Sequence, residues 1–111
     1  PLKKIINFFD LKNIEIIKGD ATKITNSFFK TFKFSLIILD MDLYLPTINT
    51  LNAVKDRLTK NGKIIFDEGN LHLWRGEEKA LNEFMKNNKN LYKKKIISKK
   101  SYQPDVQLTK I

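Results

Sequence analysis

The sequence predicts an α/β domain in which a mostly parallel sheet ends in an antiparallel hairpin. Two apolar runs without polar interruption, 36–39 and 64–66, have the composition of strands buried on both faces of a parallel sheet. Residues 46–58 between them carry apolar side chains at helical spacing, and such a crossover helix makes the two strands parallel. Residues 106–111 alternate as a half-exposed strand, which pairs antiparallel with a strand predicted over 92–99.

Three elements are predicted before the first apolar run. Residues 2–9 have the apolar stripe of a helix, and residues 14–18 form a short strand that ends at Gly19. Thr22 or Thr25 then caps a second helix. The apolar side chains of that helix are expected in the core, and they are Ile24, Phe28, Phe29 and Phe32.

The later helices have clear start and stop signals. Pro46 suits the first turn of the crossover helix, and the pair Asn61-Gly62 is expected to end it. A third helix begins at Gly76 and ends near Asn87. The buried stripes are expected at Ile48, Leu51, Val54 and Leu58 in the crossover helix and at Ala80, Leu81, Phe84 and Met85 in the third helix.

Composition excludes several classes of protein. A chain of 111 residues forms one domain at most. The absence of cysteine excludes a disulfide framework, thiolate catalysis and thiolate zinc sites. Because no apolar run has membrane-spanning length and no signal-peptide pattern opens the chain, we expect a soluble, cytoplasmic protein.

The net charge of +9 is concentrated near the carboxyl end. From Lys86 onward there are eight lysines and one acid, Asp105, which gives +7 in that segment. Such a surface attracts nucleic acid, anionic membrane or a phosphorylated substrate. The interpretation that we favour is a solvated lysine-rich surface.

Both apolar runs end in a pair of acids. Asp40 and Asp42 follow the first run, and Asp67 and Glu68 follow the second. The carboxyl ends of parallel strands meet at one edge of a sheet, which is where open α/β sheets bind ligands. Four carboxylates in a small volume repel one another, so this pattern predicts a divalent cation. The alternative is that these acids only cap the helices that follow.

Three motifs in order carry a family resemblance. They are Leu39-Asp-Met-Asp-Leu-Tyr-Leu-Pro-Thr47, Asp67-Glu-Gly69 and Trp74-Arg-Gly76. Together with the order of elements, they resemble the macrocin-type sugar O-methyltransferases over about residues 14–84. The resemblance implies a Rossmann-like class I methyltransferase sheet with strand order 3-2-1-4-5-7-6. Residues 1–111 are then a single partial domain, its carboxyl-terminal part, which lacks the first two strands.

The resemblance also implies a reaction and a set of site residues. The reaction is metal-dependent transfer of a methyl group from S-adenosylmethionine to a sugar hydroxyl, with Mg²⁺ as the metal. The implied site consists of Asp40, Asp67 and Glu68 as magnesium ligands, Asp42 as general base on the acceptor, and Asp20 and Ala21 beside the adenine ring. The family usually has aspartate where this sequence has Glu68. Tyr44, His72 and Trp74 are further candidates for the acceptor pocket. The structural alternatives are that Tyr44 covers the start of the crossover helix, that His72 is simply exposed, and that Trp74 packs the loop.

The 111 residues contain neither the glycine-rich turn nor the ribose-binding acid of this family. We therefore expect this chain by itself to bind the cofactor weakly or not at all, and strand 14–18 to pair directly with strand 36–39. The expected partner is a sugar or other small acceptor, and homo-oligomerisation is left open. The alternative functions are a non-catalytic binding module, whose lysine-rich end contacts nucleic acid or an anionic surface, and an inactive product. Nucleic acid is the less favoured partner.

Overall fold

A computed structural model describes residues 1–70, 75–98 and 102–111. The described part contains three helices and four strands, with two short 3₁₀ turns before the first strand. The elements are α1 (Leu2–Phe8), the turns Ala21–Lys23 and Asn26–Phe29, β1 (Phe34–Leu39), α2 (Tyr44–Val54), β2 (Leu58–Phe66), α3 (Arg75–Asn88), β3 (Tyr92–Ile96) and β4 (Val106–Lys110). No helix among the described residues is long and apolar enough to cross a membrane.

The four strands form one mixed sheet in the order β1-β2-β4-β3. β1 and β2 are parallel, with α2 as the crossover between them, and β4 runs antiparallel to both β2 and β3. The predicted parallel pair and the terminal hairpin are confirmed. This order also agrees with the last four positions, 4-5-7-6, of the order that the resemblance implies.

The core lies between the helices and one face of the sheet. α2 and α3 pack against each other and cover this face, because each presents an apolar stripe to it. The predicted inner residues of α3 are confirmed: three are buried and Met85 packs against the core. The buried core consists of Leu39, Ile48, Leu51, Val54, Leu58, Ile64, Phe66, Ala80, Leu81, Phe84, Tyr92, Val106 and Leu108.

The strand predicted over residues 14–18 is wrong. These residues are outside every helix and strand of the structure, and Ile17 is 60% exposed. The expected direct pairing with β1 is also absent, so β1 is an edge of the sheet. A strand needs a neighbour for its backbone hydrogen bonds, and local β propensity does not supply one. Because residues 14–18 add no parallel strand, only one of the three observed strand pairings is parallel, whereas a mostly parallel sheet was predicted.

The helix predicted after Thr22 is wrong as well. Two 3₁₀ turns replace it, and the first is capped by Asp20, whose side chain accepts a hydrogen bond from the backbone N–H of Thr22 at 2.9 Å. Phe32 is 62% exposed and Phe28 is also exposed, against the expectation of a core stripe. Only Phe29 packs inward, edge-on against Phe34 at 5.2 Å between ring centres.

The pair Asn61-Gly62 does not end the crossover helix. α2 ends at Val54, and both residues lie inside β2, where the register with β1 shifts between Phe34 and Leu36. Asn61 has a positive φ of 64°. A Cβ on Gly62 would lie 3.1 Å from the carbonyl oxygen of Phe34, so the glycine permits the close approach of β1. The Asn-Gly pair does indicate an irregular backbone, but the irregularity lies within a strand and not at the end of a helix.

Candidate functional site

The two acid pairs meet at the carboxyl edge of the parallel strands. Asp40 directly follows β1, and Asp67 directly follows β2. The backbone N–H of Asp67 donates to the carbonyl oxygen of Leu39 at 3.0 Å, so the two chains are still paired where the acids begin. The predicted convergence of these segments at one sheet edge is therefore observed, while the roles of the four side chains stay predictions.

Asp42 occupies a tight turn between β1 and α2. Its φ is 58°, and the N–H of Leu43 donates to the carbonyl oxygen of Met41 at 2.6 Å across it. Aspartate tolerates this left-handed conformation better than most residues, at a cost of about 1 kcal/mol or more. A residue held in such a conformation beside other acids is a common feature of functional sites.

The first turn of α3 packs directly against that turn. A Cβ on Gly76 would lie 2.6 Å from the carbonyl oxygen of Asp42 and 2.5 Å from the backbone nitrogen of Tyr44. No side chain fits there, so glycine is required for α3 to approach the acidic edge. This contact gives a structural reason for Gly76 in the third motif.

Glu77 is a member of the site that sequence reasoning missed. Its side chain is fully buried at the start of α3, and Oε2 accepts from the backbone N–H of Glu68 at 3.0 Å. Its other oxygen, Oε1, is buried without a hydrogen-bond partner. Burial, and the nearby negative charges of Asp67, Glu68 and Asp40, raise the pKa of Glu77 to about 7. The sequence gives only a weak signal, because an acid in the first turn of a helix is ordinary.

Gln103 is the second residue that was missed. Its side-chain amide nitrogen, Nε2, donates to Oδ2 of Asp67 at 2.9 Å and to Oε1 of Glu68 at 2.7 Å. This one neutral amide group thus bridges the two carboxylates of the second pair. The turn around residue 103 was predicted, but nothing in the sequence marks this glutamine.

Asp105 fixes the loop that follows β2. It is buried, and its two carboxylate oxygens accept from the N–H groups of Gly69 at 2.7 Å and Asn70 at 2.8 Å. A Cβ on Gly69 would lie 2.8 Å from Cγ2 of Val106, so the loop also packs closely on β4. The loop that begins with the second acid pair is therefore contacted by Asp105 and Val106 at the start of β4 as well as by Glu77 of α3.

Burial and mutual repulsion disfavour the charged forms of the second acid pair. The pKa of Asp67 is raised by burial first, and then by Asp40, Asp105 and Asp42. Burial also raises the pKa of Glu68, and Asp42 contributes to that rise, while the hydrogen bond from Gln103 opposes it. These couplings show that acids from both pairs influence one another.

The donor set suits a hard cation, although the described side chains do not form a ready cage. Within residues 1–70, 75–98 and 102–111, no three acidic or histidine side chains are grouped so as to hold a metal ion. The donors that the described residues offer at this edge are all oxygens, which Mg²⁺ prefers. Oε2 of Glu68 and Oε1 of Glu77 are buried without a hydrogen-bond partner, and such atoms are free to accept a cation.

The predicted adenine-binding residues are attached to α2. The carbonyl oxygen of Ala21 accepts from Nδ2 of Asn49 at 2.8 Å. Asp20 accepts from both the N–H and the hydroxyl of Thr22, and these hydrogen bonds lower its pKa. Asp20 and Ala21 line an open pocket of about 490 Å³, together with apolar side chains that include Ile17 and Phe28.

Tyr44 is engaged within the protein. Its hydroxyl donates to Oε2 of Glu83 at 2.7 Å, and Nζ of Lys79 lies 4.5 Å from the centre of its ring. Tyr44 therefore joins the start of α2 to α3, which favours the structural interpretation. His72 and Trp74 lie outside the described residues.

Comparison with solved structures finds this fold in CalS11. An apo structure of CalS11, a TDP-rhamnose 3'-O-methyltransferase of calicheamicin biosynthesis, matches with a TM-score of 0.76 and 20% identity, over 97% of this chain and 49% of that chain. A second CalS11 structure, a calicheamicin methyltransferase, matches with a TM-score of 0.74 and 20% identity, over 97% and 45%. The chain spans about half the length of these structures. At this identity the likeness shows the fold alone.

No protein-family model matches the chain, and no curated protein matches it in sequence. The fold is thus shared with part of the CalS11 structures, and the narrower macrocin-type resemblance stays a prediction.

Proposed function

We propose that these residues are the carboxyl-terminal part of a domain that transfers a methyl group from S-adenosylmethionine to a sugar hydroxyl. The observation that carries the proposal is the placement of two acid pairs at the shared carboxyl edge of β1 and β2. The fold supports it, because the CalS11 structures have this fold and are those of a sugar methyltransferase.

In the proposed reaction the acceptor oxygen attacks the methyl carbon of the sulfonium. The carbon–sulfur bond breaks, its electron pair goes to sulfur, and Asp42 accepts the hydroxyl proton. The turn that holds Asp42 is fixed by the packing of Gly76, so the carboxylate is carried on a rigid support. Asp20 and Ala21 would lie beside the adenine ring, on the pocket that they line.

Asp40, Asp67 and Glu68 would hold the magnesium ion in this proposal. The oxygen-only donor set and the buried, unpartnered Oε2 of Glu68 support the assignment. A bound divalent ion lowers the pKa of an alcohol that coordinates it and orients that alcohol. The amide of Gln103 donates to Oε1 of Glu68, so Oε2 of the same carboxylate stays available to a cation while the bridge is in place.

The test is a calorimetric titration of the chain with MgCl₂, followed by the Asp67→Asn variant. The expected result is binding that Asp67→Asn weakens by roughly tenfold or more, because one carboxylate ligand becomes neutral. The matched control is Asp56→Asn, since Asp56 is an exposed aspartate just before the opposite end of β2 and should leave binding unchanged. Equal binding by both variants, or no binding by the parent chain, contradicts the metal assignment.

Methyl transfer is tested separately. Radiolabelled S-adenosylmethionine and a set of nucleotide sugars are incubated with the longest natural protein that contains these residues. Label in the sugar that Asp42→Asn abolishes supports the proposal. If the protein instead binds nucleic acid with a steep salt dependence and transfers no label, the binding-module alternative is favoured.

A further inference from the structure

The amide of Gln103 engages one oxygen of each carboxylate in the second acid pair. Its Nε2 donates one hydrogen to Oδ2 of Asp67 at 2.9 Å and the other to Oε1 of Glu68 at 2.7 Å. An amide nitrogen has two hydrogens, so both of them are used in this bridge. The oxygens that the amide does not contact are Oδ1 of Asp67 and Oε2 of Glu68.

The turn that carries Gln103 is fixed against the same loop as the acids. The backbone N–H of Asp105 donates to the carbonyl oxygen of Phe66 at 3.1 Å, directly before the second acid pair. The hydroxyl of Ser98 donates to the carbonyl oxygen of Pro104 at 2.5 Å, which ties the turn to the chain after β3. The backbone therefore places the amide of Gln103 beside the two carboxylates, and the amide does not depend on its own contacts alone.

A separate observation indicates that this group of acids takes a ligand. Glu77 is fully buried, and its Oε1 has no hydrogen-bond partner among the described residues. Oε2 of Glu68 is likewise buried without a partner. Buried carboxylate oxygens without a donor are costly, and a bound cation removes that cost. On Glu68 the two observations coincide, because Gln103 engages one oxygen and the other is the unpartnered one.

We propose that Gln103 is a positioning residue that makes the acidic edge select Mg²⁺ over Ca²⁺, an inference that rests on the metal site of the proposed function. Ca²⁺ takes about six to eight oxygens and often binds both oxygens of one carboxylate. Mg²⁺ accepts single oxygens from one or two carboxylates and keeps several waters. While the amide of Gln103 is in place, Asp67 and Glu68 each offer a cation a single oxygen, which restricts Ca²⁺ more than Mg²⁺.

The number of oxygens and the neutrality of the amide both support this selection. Asp40, Asp67 and Glu68 have six carboxylate oxygens, of which the amide engages two, so at most four remain. Four is fewer than the about six to eight that Ca²⁺ takes, whereas Mg²⁺ readily completes its coordination with water. A lysine in place of Gln103 would also hold the carboxylates, but its charge would oppose the cation. The amide orients them and leaves their negative charge in place.

The experiment compares calorimetric titrations with MgCl₂ and with CaCl₂. The samples are the longest natural protein that contains these residues and its Gln103→Leu variant, in which the side chain keeps a similar volume and loses both donors. The ratio of the Kd for Ca²⁺ to the Kd for Mg²⁺ is expected to fall about tenfold or more in the variant, because Ca²⁺ gains the second oxygens of Asp67 and Glu68. Gln103 is exposed, so the variant is expected to fold.

The matched control is Gln107→Leu. Gln107 is paired with Ile65 inside the sheet, and its Nε2 donates to the hydroxyl of Thr109 at 3.1 Å. The same substitution there should leave the Kd ratio unchanged. Circular dichroism of both variants confirms that the fold is kept.

The possible outcomes separate this inference from the proposed function. An unchanged Kd ratio in Gln103→Leu overturns the inference. An equal loss of affinity for both ions overturns it as well, since that is the effect of an amide that only stabilises the turn. Both results leave the metal site of the proposed function intact. If the parent protein binds neither ion, the metal site itself is wrong, and the inference fails with it.

Discussion

Glu77→Gln should make the stability of this protein less dependent on pH. The pKa of Glu77 is raised from 4.5 to about 7, so the folded state holds the proton more tightly than the unfolded state. The contribution of Glu77 to the free energy of unfolding is therefore greatest below pH 4.5. It falls as the pH rises toward about 7 and is constant above that. Glutamine has no proton to lose and keeps an oxygen for the N–H of Glu68.

The size of the effect follows from the two pKa values. One pKa unit corresponds to about 1.4 kcal/mol, so a rise from 4.5 to about 7 corresponds to roughly 3 kcal/mol. We expect the free energy of unfolding of Glu77→Gln, relative to the parent, to rise by about that amount between pH 4.5 and pH 8.

The measurement is urea unfolding followed by circular dichroism at several pH values, with EDTA present. Glu15→Gln is the control, since Glu15 is exposed and its replacement should give a profile parallel to that of the parent. If Glu77→Gln also runs parallel to the parent from pH 5 to 8, the carboxyl group is not buried as described.

Three other substitutions test the supports of the acidic edge by the same unfolding assay. Gly76→Ala should lower the free energy of unfolding by about 1–3 kcal/mol, since its Cβ would lie 2.5 Å from a backbone nitrogen, and an unchanged stability would show that α3 is placed differently. Asp105→Asn should cost about 1–3 kcal/mol, because its amide group cannot accept from both Gly69 and Asn70, and equal stability would contradict those contacts. Gln103→Ala should lower the free energy of unfolding by about 1 kcal/mol at pH 7, and by less at pH 4, because Asp67 and Glu68 are more protonated there. A larger loss of stability at pH 4 than at pH 7 would refute the hydrogen-bonded bridge.

The parts of the fold that could be predicted are those with a signal inside the element itself. The apolar runs of β1 and β2 and the stripe of α3 are local patterns, and the structure confirms them. The segment 14–18 has equal local propensity, but it has no neighbouring strand to pair with. The interpretation of Asn61-Gly62 was wrong because the same residues that end helices also permit an irregular strand.

The residues of the site likewise fall into those that a local sequence pattern predicts and those that it does not. The positions of Asp40 and Asp67 follow from the rule that parallel strands end at one edge, so the sequence was sufficient for them. Glu77 and Gln103 act on those acids from distant elements, 9 and 35 positions from Glu68. Their hydrogen bonds to the acidic edge depend on how α3 and the turn before β4 pack, and no local sequence pattern predicts that packing.

The supports of the acidic edge have a consequence for what binds there. Glu77 and Asp105 accept from backbone N–H groups, while Asp67 and Glu68 accept from the amide of Gln103. These donors are neutral, so they satisfy hydrogen bonds without cancelling charge. The remaining repulsion contributes to the raised pKa values of Asp67, Glu68 and Glu77. A positively charged ligand relieves that repulsion and a neutral one does not, which favours a metal ion or a sulfonium at this edge over an uncharged sugar alone.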